Sequence, residues 1–524
     1  MNVRIFNTLT NRKEPLKPIT PGKLGMYVCG VTVYDMCHVG HARAYVTADV
    51  IYRYLTHVGL DVTYVRNFTD VDDKIIARSN ELAVDPRELS DRFIREFHVD
   101  MDALGIKRPQ IEPRVTDHIG DIIEMVKTLI DKGHAYEVEG DVYFDVPSFK
   151  MYGRLSGANM RELLSGARVD VDDRKKSPAD FALWKAAKPG EPAWDSPWGK
   201  GRPGWHIECS TMSTKYLGDT FDLHGGGKDL VFPHHENEIA QSEAATGKTF
   251  VNAFFHNGFV NIDKEKMSKS LGNFFTIREM TEKVSPEALR YFLLGTHYRS
   301  PLNFEVDFSC PACGAELKRQ EVEDRTCPAC NVSMDDASAS AAVRFPALEE
   351  AMRRLEYLYQ TRQRLDEHLD VGITGGGELL KAQEVEELDS RFSQAMDDDF
   401  NTAAALGVLA DAMRISNEVM DNKDGHPAAM VTSTVQRLRD SVSVMSQVLG
   451  ILEQDPAQAL TSLRSKALDS KGVSPEHIDK LVAARDAARA SKDWAEADRL
   501  RDELHAMGVE LMDSPQGTTW KMKS

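Results

Sequence analysis

Two short stretches of this chain carry groups suited to handling a polyphosphate. His38-Val39-Gly40-His41 heads a run with helical spacing, where free backbone N–H groups and the helix dipole favour bound anions. Two imidazoles three residues apart share one face there, and Gly40 between them lets a planar or phosphorylated ligand approach the backbone. Lys266-Met-Ser-Lys-Ser-Leu-Gly272 offers two ammonium groups and two hydroxyls in a glycine-ended loop, suited to holding a triphosphate while charge moves onto a departing pyrophosphate. Taken singly, these motifs also describe polar residues at an ordinary helix start and a solvated basic turn. Only their joint presence carries information. A third constellation points to a metal: Cys310-Pro-Ala-Cys313 and Cys327-Pro-Ala-Cys330 read as a closed tetrahedral four-thiolate zinc site of the ribbon kind, which in a reducing compartment is favoured over two disulfides. Cys37 is the odd cysteine, for which plain packing is expected.

The elements that must position these groups begin with a βαβ unit. Met26 to Val28 reads as a strand ending at Cys29-Gly30, His41 to His57 as a helix stopped by Gly59, and Leu60 to Arg66 as a second strand. That order predicts a right-handed parallel crossover with ligands at the carboxyl ends of the strands. Residues 70–190 hold mixed helix and strand, and the Pro/Trp/Gly-rich stretch from Lys188 to Gly204 is predicted to lack regular structure, as a loop beside or over something functional. A helix from Ser285 to Leu294 closes this half. After Cys330 the helical runs Phe345–Leu365, Phe400–Met420 and Val435–Leu449 predict a bundle, followed by an amphipathic helical pair around Ile478 to Met507 and a polar tail from Pro515 to Ser524.

Composition narrows the class further. With 524 residues, 42% apolar and 28% charged, the chain has material for roughly three or four domains, and a fibre or a disordered chain is excluded. No run of ~18 apolar residues and no signal-like start is present, so no membrane association and a cytoplasmic location are expected. A net charge of −18 argues against generic adhesion to polyanions but leaves room for a local basic surface, so any nucleic-acid contact must be patchy and shape-dependent. Two other readings fail on spacing. Gly227-Lys228 lacks the upstream glycine and following Ser/Thr of a Walker loop, with Asp222 and Asp229 in those places, and His235-Glu236-Asn237-Glu238-Ile239 is not the H-E-x-x-H of a zinc protease.

H-V-G-H and K-M-S-K-S together are the paired signature of class I aminoacyl-tRNA synthetases. Further stretches sharpen the match: Met26-Tyr-Val-Cys-Gly30, Val65-Arg-Asn-Phe-Thr-Asp-Val-Asp-Asp-Lys74, Gly201-Arg-Pro-Gly-Trp-His-Ile-Glu-Cys-Ser210, His224-Gly-Gly-Gly227, Phe232-Pro-His-His-Glu-Asn-Glu238 and Met396-Asp-Asp-Asp-Phe-Asn401. Through them the chain resembles the cysteinyl-tRNA synthetase family over roughly 1–308 and 345–524. The resemblance implies an α/β fold: a Rossmann-type parallel-sheet catalytic domain, here with an inserted zinc-ribbon-like segment, and a C-terminal α-helical bundle. It places Cys29, Cys209, His234 and Glu238 at zinc-ligand positions and Lys269 at an ATP-contacting lysine. It also sets Thr69, Trp205 and His206, with Cys29, around the amino-acid pocket. The residues themselves are compatible with this, since two thiolates, an imidazole and a carboxylate bind zinc well and His234 and Glu238 share a helix face. Spacing alone leaves His235 as eligible as His234, and Trp205 has core packing as its alternative.

The implied reaction is ATP-dependent ligation of L-cysteine to its tRNA through a cysteinyl-adenylate. His38, His41, Lys266 and Lys269 compensate charge, Gly40 and Ser268 complete the ATP site, and Mg²⁺ sits on the phosphates. A zinc ion that takes thiolate explains how cysteine is told from serine, which an apolar pocket separates by only ~10²-fold. The expected domains are 1–308 (with a connective insertion about 110–200), the ribbon at 309–342, a tRNA-binding bundle at 343–465 and a small anticodon-binding segment at 466–524. Two zinc ions and a monomer are expected. The ribbon departs from the family pattern, and it reads first as a structural clip, then as an RNA contact, then as a redox pair. Trp520, Lys521 and Lys523 are candidate RNA contacts, with a frayed tail as the alternative. Two competing functions keep part of this reading: a cysteine ligase acting on an amino-sugar, and a non-catalytic tRNA-binding relative.

Overall fold

The computed structural model describes residues 2–158, 174–262, 265–266, 274–310, 312–318, 321–322, 324, 326–333, 343–372, 375, 377–469, 475–507, 509–514 and 517–522. By packing it divides into one unit of Met1–Val260, Thr296–Leu302 and Ser393–Ala405, and a second of Asn261–Gly295, Asn303–Phe392 and Leu406–Ser524.

In the first unit a hairpin of β1 (Arg4–Asn7) and β2 (Arg12–Pro15) precedes β3 (Lys23–Val28), whose crossover helix α1 (Val39–His57) returns the chain to β4 (Asp61–Arg66). β3 and β4 run parallel, in register from Lys23 opposite Asp61 to Val28 opposite Arg66. Helices α2 (Asp73–Leu82), α3 (Pro86–Ala103) and α4 (Ile119–Asp131) follow, then an antiparallel sheet of β5 (Ala135–Val138), β6 (Asp141–Phe144), β7 (Phe181–Ala186) and β8 (Gly201–Pro203). Helix α5 (Trp205–Leu217), β9 (Phe221–Gly227), α6 (Glu236–Thr246) and β10 (Val251–Asn257) complete a central sheet of order β10-β9-β3-β4, parallel throughout. The predicted crossover is therefore present, with strands buried on both faces as a parallel sheet requires.

The expectation that Lys188 to Gly204 lacks regular structure is corrected at its end. Gly201–Pro203 is an edge strand pairing Trp184 with Pro203 and Ala186 with Gly201. An edge tolerates proline, and Gly201 is required because a Cβ there would lie 2.2 Å from the Trp184 indole nitrogen.

One stretch of the first unit comes from far along the chain. In Ser393–Ala405, Asp399 and Phe400 hold left-handed backbone at φ 65° and 51°, a cost of about 1–2 kcal/mol per residue. Asp399 offsets it while fully buried, accepting from Phe6 N and Tyr298 OH at 2.8 Å and from Arg299 Nε at 2.6 Å.

All but the first residue of β11 (Val260–Ile262) and of β13 (Leu302–Phe304) belong to the second unit, and with β12 (Glu265–Lys266) these strands make a small sheet; α7 (Ile277–Lys283) and α8 (Pro286–Leu294) follow β12 in the chain. The insertion builds on β14 (Asp307–Ser309), β15 (Glu316–Leu317) and β16 (Val343–Arg344). The predicted bundle is α9 (Pro346–Asp370), α10 (Ala382–Asp397), α11 (Thr402–Asp421), α12 (Ala428–Leu449) and α13 (Pro456–Asp469). The carboxyl-terminal pair is α14 (Pro475–Ala490) and α15 (Trp494–Ala506). The tail beyond it is not frayed: β17 (Val509–Ser514) and β18 (Gly517–Met522) form a hairpin. Its Trp520 packs beside Ile478, Val482 and Leu504 and donates its indole N–H to Asp479 at 3.0 Å. Lys523 lies outside the described residues, as does the Lys521 side chain.

The closest backbone approach in the parallel sheet lies just past β3, where a Cβ on Gly30 would stand 1.5 Å from Asn67 O. Gly30→Ala is therefore expected to cost about 3 kcal/mol through overpacking, read as a lowered thermal midpoint, whereas Gly59→Ala at the exposed end of α1 should cost less.

Candidate functional site

His38 and His41 stand where α1 begins, and each is part of the helix start. Gly40 N donates to His38 Nδ1 at 3.0 Å, and His38 N donates to His41 Nδ1 at 3.4 Å, a reciprocal capping box made by two imidazoles. The rings stack at 3.7 Å. Because Nδ1 accepts in both, each neutral ring carries its proton at Nε2, a donor of the kind phosphate oxygens accept. Of the second motif, Lys266 is described only by its backbone, opposite Asn261 on β11, while Ser268 and Lys269 lie outside the described residues.

At the carboxyl end of β3 a different chemistry gathers. Ligand atoms of Cys29, Cys209, His234 and Glu238 all lie within 4.8 Å of one another, and the four residues are buried. Cys29 comes off β3, Cys209 sits on α5, His234 in the irregular turn 231–235 and Glu238 one turn into α6. Cys29 Sγ is 3.7 Å from Cys209 Sγ and 3.5 Å from Glu238 Oε1, and His234 Nε2 is 3.0 Å from that same oxygen. The cluster is compact enough for a metal ion, and its two sulfurs, one nitrogen and one oxygen fit a borderline-soft divalent cation.

Charge in this pocket is strongly redistributed. Burial alone would raise Glu238, but His224 and His234 hold its carboxyl well below the usual carboxylate range. Burial likewise opposes charge on His234, yet the Glu238 carboxylate and Cys209 push it up to about 10. The hydrogen bond from Cys29 draws the Cys209 thiol down to about 6, while burial pushes Cys29 well up.

The question of His234 against His235 stays open geometrically, since Cys29, His224, His235 and Glu238 form a second set within the same 4.8 Å limit. The hydrogen bonding separates their parts. His224 Nε2 is 2.8 Å from Glu238 Oε2, the carboxylate oxygen turned away from the thiols, so it orients the carboxylate. His235 places Nε2 3.3 Å from Cys29 Sγ and Nδ1 2.8 Å from His256 Nε2, whose Nδ1 is 2.8 Å from Thr8 Oγ1. Burial, with His224 nearby, keeps His235 neutral, and it drives His256 down to about 3. Sequence reasoning assigned no role to His224, His256 or Thr8, although His224 stood in a quoted motif.

Of the residues expected around an amino-acid pocket, Trp205 and His206 meet the same cluster, and Thr69 reaches the residue before Cys209. Trp205, 39% exposed, stacks on the His234 ring at 4.3 Å, so it is not simple core packing. His206 Nδ1 is 2.9 Å from His234 Nδ1, and burial keeps its ring neutral. Thr69 donates to Glu208 Oε2 at 2.8 Å, fully inside the protein. Glu236, to which the sequence assigns no role, braces α6, accepting from Gly153 N, Leu155 N and Ser156 N between 2.8 and 3.1 Å.

The four remaining expected ligands also converge, with Cys310, Cys313, Cys327 and Cys330 within 4.8 Å. Two like-shaped knuckles build the site. Gly314 N donates to Cys310 O and Asn331 N to Cys327 O, each at 2.8 Å, and Gly314 and Asn331 both take the left-handed backbone that such a turn demands.

A parallel sheet whose first crossover helix opens on paired histidines, with the lysine-bearing loop downstream, defines a class I aminoacyl-tRNA synthetase. The model for the tRNA synthetases class I (C) catalytic domain matches residues 15–309, that for the DALR domain 391–453 and that for the cysteinyl-tRNA ligase anticodon binding domain 473–520. Cysteine–tRNA ligase of Pelobacter propionicus is 52% identical over 524 residues and that of Geobacter sulfurreducens 48% over 525, with 100% of both chains covered in each case. The chain belongs to the cysteinyl-tRNA ligase family. Among solved structures, Mycobacterium tuberculosis methionyl-tRNA synthetase in complex with methionyl-adenylate shares the fold, with a TM-score of 0.56 at 15% identity over 84% of this chain and 93% of that one.

Metal affinity at the first cluster is expected to rise with pH. Cys29, raised by burial, must lose its proton before its sulfur can ligate, so acidification should weaken binding by up to about tenfold per pH unit for each proton displaced. Competition against a chromophoric chelator at pH 6.5 and 8 measures this, and Cys29→Ser should flatten the dependence.

Proposed function

We infer that the protein activates L-cysteine with ATP and transfers it to its tRNA, and that the buried cluster at Cys29 is where the substrate thiol is chosen. The observation that carries this reading is the convergence of two cysteines, a histidine and a glutamate at the strand end beside the H-V-G-H helix. We assign zinc to this cluster, held by Cys29, Cys209, His234 and Glu238. When bound, zinc supplies a site that takes a thiolate in preference to a neutral hydroxyl, and so separates cysteine from serine.

In the first step an oxygen of the cysteine carboxylate attacks the α-phosphorus of ATP, the bond to the bridging oxygen breaks and pyrophosphate leaves. His38 and His41, whose rings carry the proton at Nε2, and Lys266 and Lys269 share the charge that builds on the leaving phosphates; Gly40 and Ser268 line the nucleotide, and Mg²⁺ accompanies it. Thr69, Trp205 and neutral His206 shape the pocket and keep water from the thiol. In the second step a ribose hydroxyl of the terminal adenosine attacks the acyl carbon and AMP departs. No side chain acts as nucleophile, so positioning and charge compensation carry the rate.

Residues 1–308 are proposed as the catalytic domain, with the connective insertion at about 110–200, and 343–465 and 466–524 as the tRNA-binding bundle and anticodon-binding segment. The family match to an anticodon-binding domain at 473–520 supports a tRNA acceptor over an amino-sugar. We read the ribbon at 309–342 as a structural zinc clip. We further propose cytoplasmic action, consistent with seven free cysteines, and a monomer, since one chain supplies every residue assigned.

Cysteine-dependent ATP–pyrophosphate exchange and aminoacylation of purified tRNA test the reading, and transfer to an aminated sugar without tRNA charging would sink it. Lys269→Ala is expected to lower exchange by about 10²-fold or more.

Metal analysis should find about two zincs per chain. Cys29→Ser should lose one and depress cysteine affinity. Cys310→Ser should lose the other and lower thermal stability with exchange retained.

A further inference from the structure

Helix α1 carries a buried arginine just beyond its two histidines, and the reaction described above makes no use of it. Arg43 is 1% exposed. Its Nη2 donates to three carbonyls of one loop, His297 O at 3.3 Å, Tyr298 O at 3.2 Å and Ser300 O. Among the described residues, Nε and Nη1 have no hydrogen-bond partner and the guanidinium forms no ion pair. Burying a cation on carbonyl dipoles alone is costly, and a neutral side chain of similar length would fill the space more cheaply. Such a group is informative about geometry, because the end of a long, rigid-tipped side chain ties three acceptors of one loop to the helix.

The loop it ties is seated on the exit of β10. Gly258 N donates to Tyr298 O at 2.8 Å, and Leu302 N to Phe259 O at 2.9 Å. At Gly258 a Cβ would lie 2.5 Å from Ser300 O and 2.8 Å from Arg299 O, so the two backbones are in contact with no room between them. Ser300 O therefore receives Arg43 and also abuts Gly258. From Gly258 the chain runs on through β11 and β12 to Lys266.

We propose that Arg43 is a positioning residue for adenylate formation. Through Ser300 and Tyr298 it holds the exit of β10, the root of the lysine-bearing loop, against the helix whose first turn carries His38 and His41. Arg43 is thus a buried strut within the first unit, tying the strand from which the chain departs toward Lys266 to the histidine-bearing helix. This rests on the reading that those histidines and lysines act on the triphosphate.

Three variants test the strut from two sides. Arg43→Met removes the donors, Arg43→Lys keeps charge and donors on a shorter side chain that draws the nitrogen back from the three carbonyls, and Gly258→Ala pushes on Ser300 without altering Arg43. Cysteine-dependent ATP–pyrophosphate exchange is measured at saturating substrates, alongside equilibrium cysteine binding to the zinc-loaded protein and thermal melting. Displacing reacting groups by about 1 Å costs on the order of 10²-fold, so kcat for exchange should fall by about that in Arg43→Met and Gly258→Ala and by less in Arg43→Lys. The cysteine Kd should stay within about threefold of wild type. Folded variants that exchange within about threefold of wild type, or that lose cysteine affinity in step with kcat, overturn the strut. Should Arg43→Met fail to fold, the other two decide by the same criterion. Wild-type protein lacking cysteine-dependent exchange would instead overturn the functional reading itself, and the strut's part in it.

Discussion

Glu238 is wholly buried and keeps its charge, and most of the site is arranged around that fact. A carboxylate in a desolvated interior is expensive unless charges and hydrogen bonds compensate it. Here its two oxygens are divided: Oε2 belongs to His224 at 2.8 Å, and Oε1 faces His234 at 3.0 Å and Cys29 at 3.5 Å. His224 can reach because β9 lies beside β3, with His224 opposite Tyr27 and Cys29 N bonded to Gly225 O at 3.2 Å. Gly225 and Gly226 follow His224 because a Cβ on the first would enter the Phe255 ring and one on the second would meet His235. The parallel sheet, its glycines and the irregular turn ahead of α6 are thus conditions for one buried anion, and a divalent ion held there would resolve the charges that the donors bring together.

The same economy governs the phosphate end. His38 and His41 close the first turn of α1 with Nδ1, satisfying two backbone donors that a helix start leaves open, and so carry the ring proton on Nε2. A cap and a binding group are normally different residues. Combining them means that the rings would already be oriented, with Nε2 facing outward as the donor, for the nucleotide contact proposed above, leaving little to order on binding.

Much of this was legible in the chain. The βαβ crossover, the bundle and the cysteine knuckles follow from period and spacing, which are local properties. Cys29, Cys209, His234 and Glu238 were reachable only through family resemblance, because each alone looks like a buried residue and their convergence depends on strand order. His224, His256 and Thr8 carry no periodic signal; they matter through which neighbour their second nitrogen or hydroxyl meets. The edge strand at Gly201–Pro203 was missed because proline and glycine normally break strands, and an edge suspends that rule. The hairpin of β17 and β18 was missed because short strands with few apolar residues look polar until the Trp520 ring finds Ile478.

Ser393–Ala405 packs within the first unit, although most of α10 before it and α11 after it belong to the second. Its Asp399 is satisfied by Phe6, Tyr298 and Arg299, all residues of that first unit. The amino-terminal half therefore borrows a structural part from downstream, and the two halves are not modules that a single cut separates. A gene fragment ending before residue 393 would leave Phe6 N, the Tyr298 hydroxyl and Arg299 without the Asp399 acceptor, so any exchange of the amino-terminal half between relatives must carry this splice along with it.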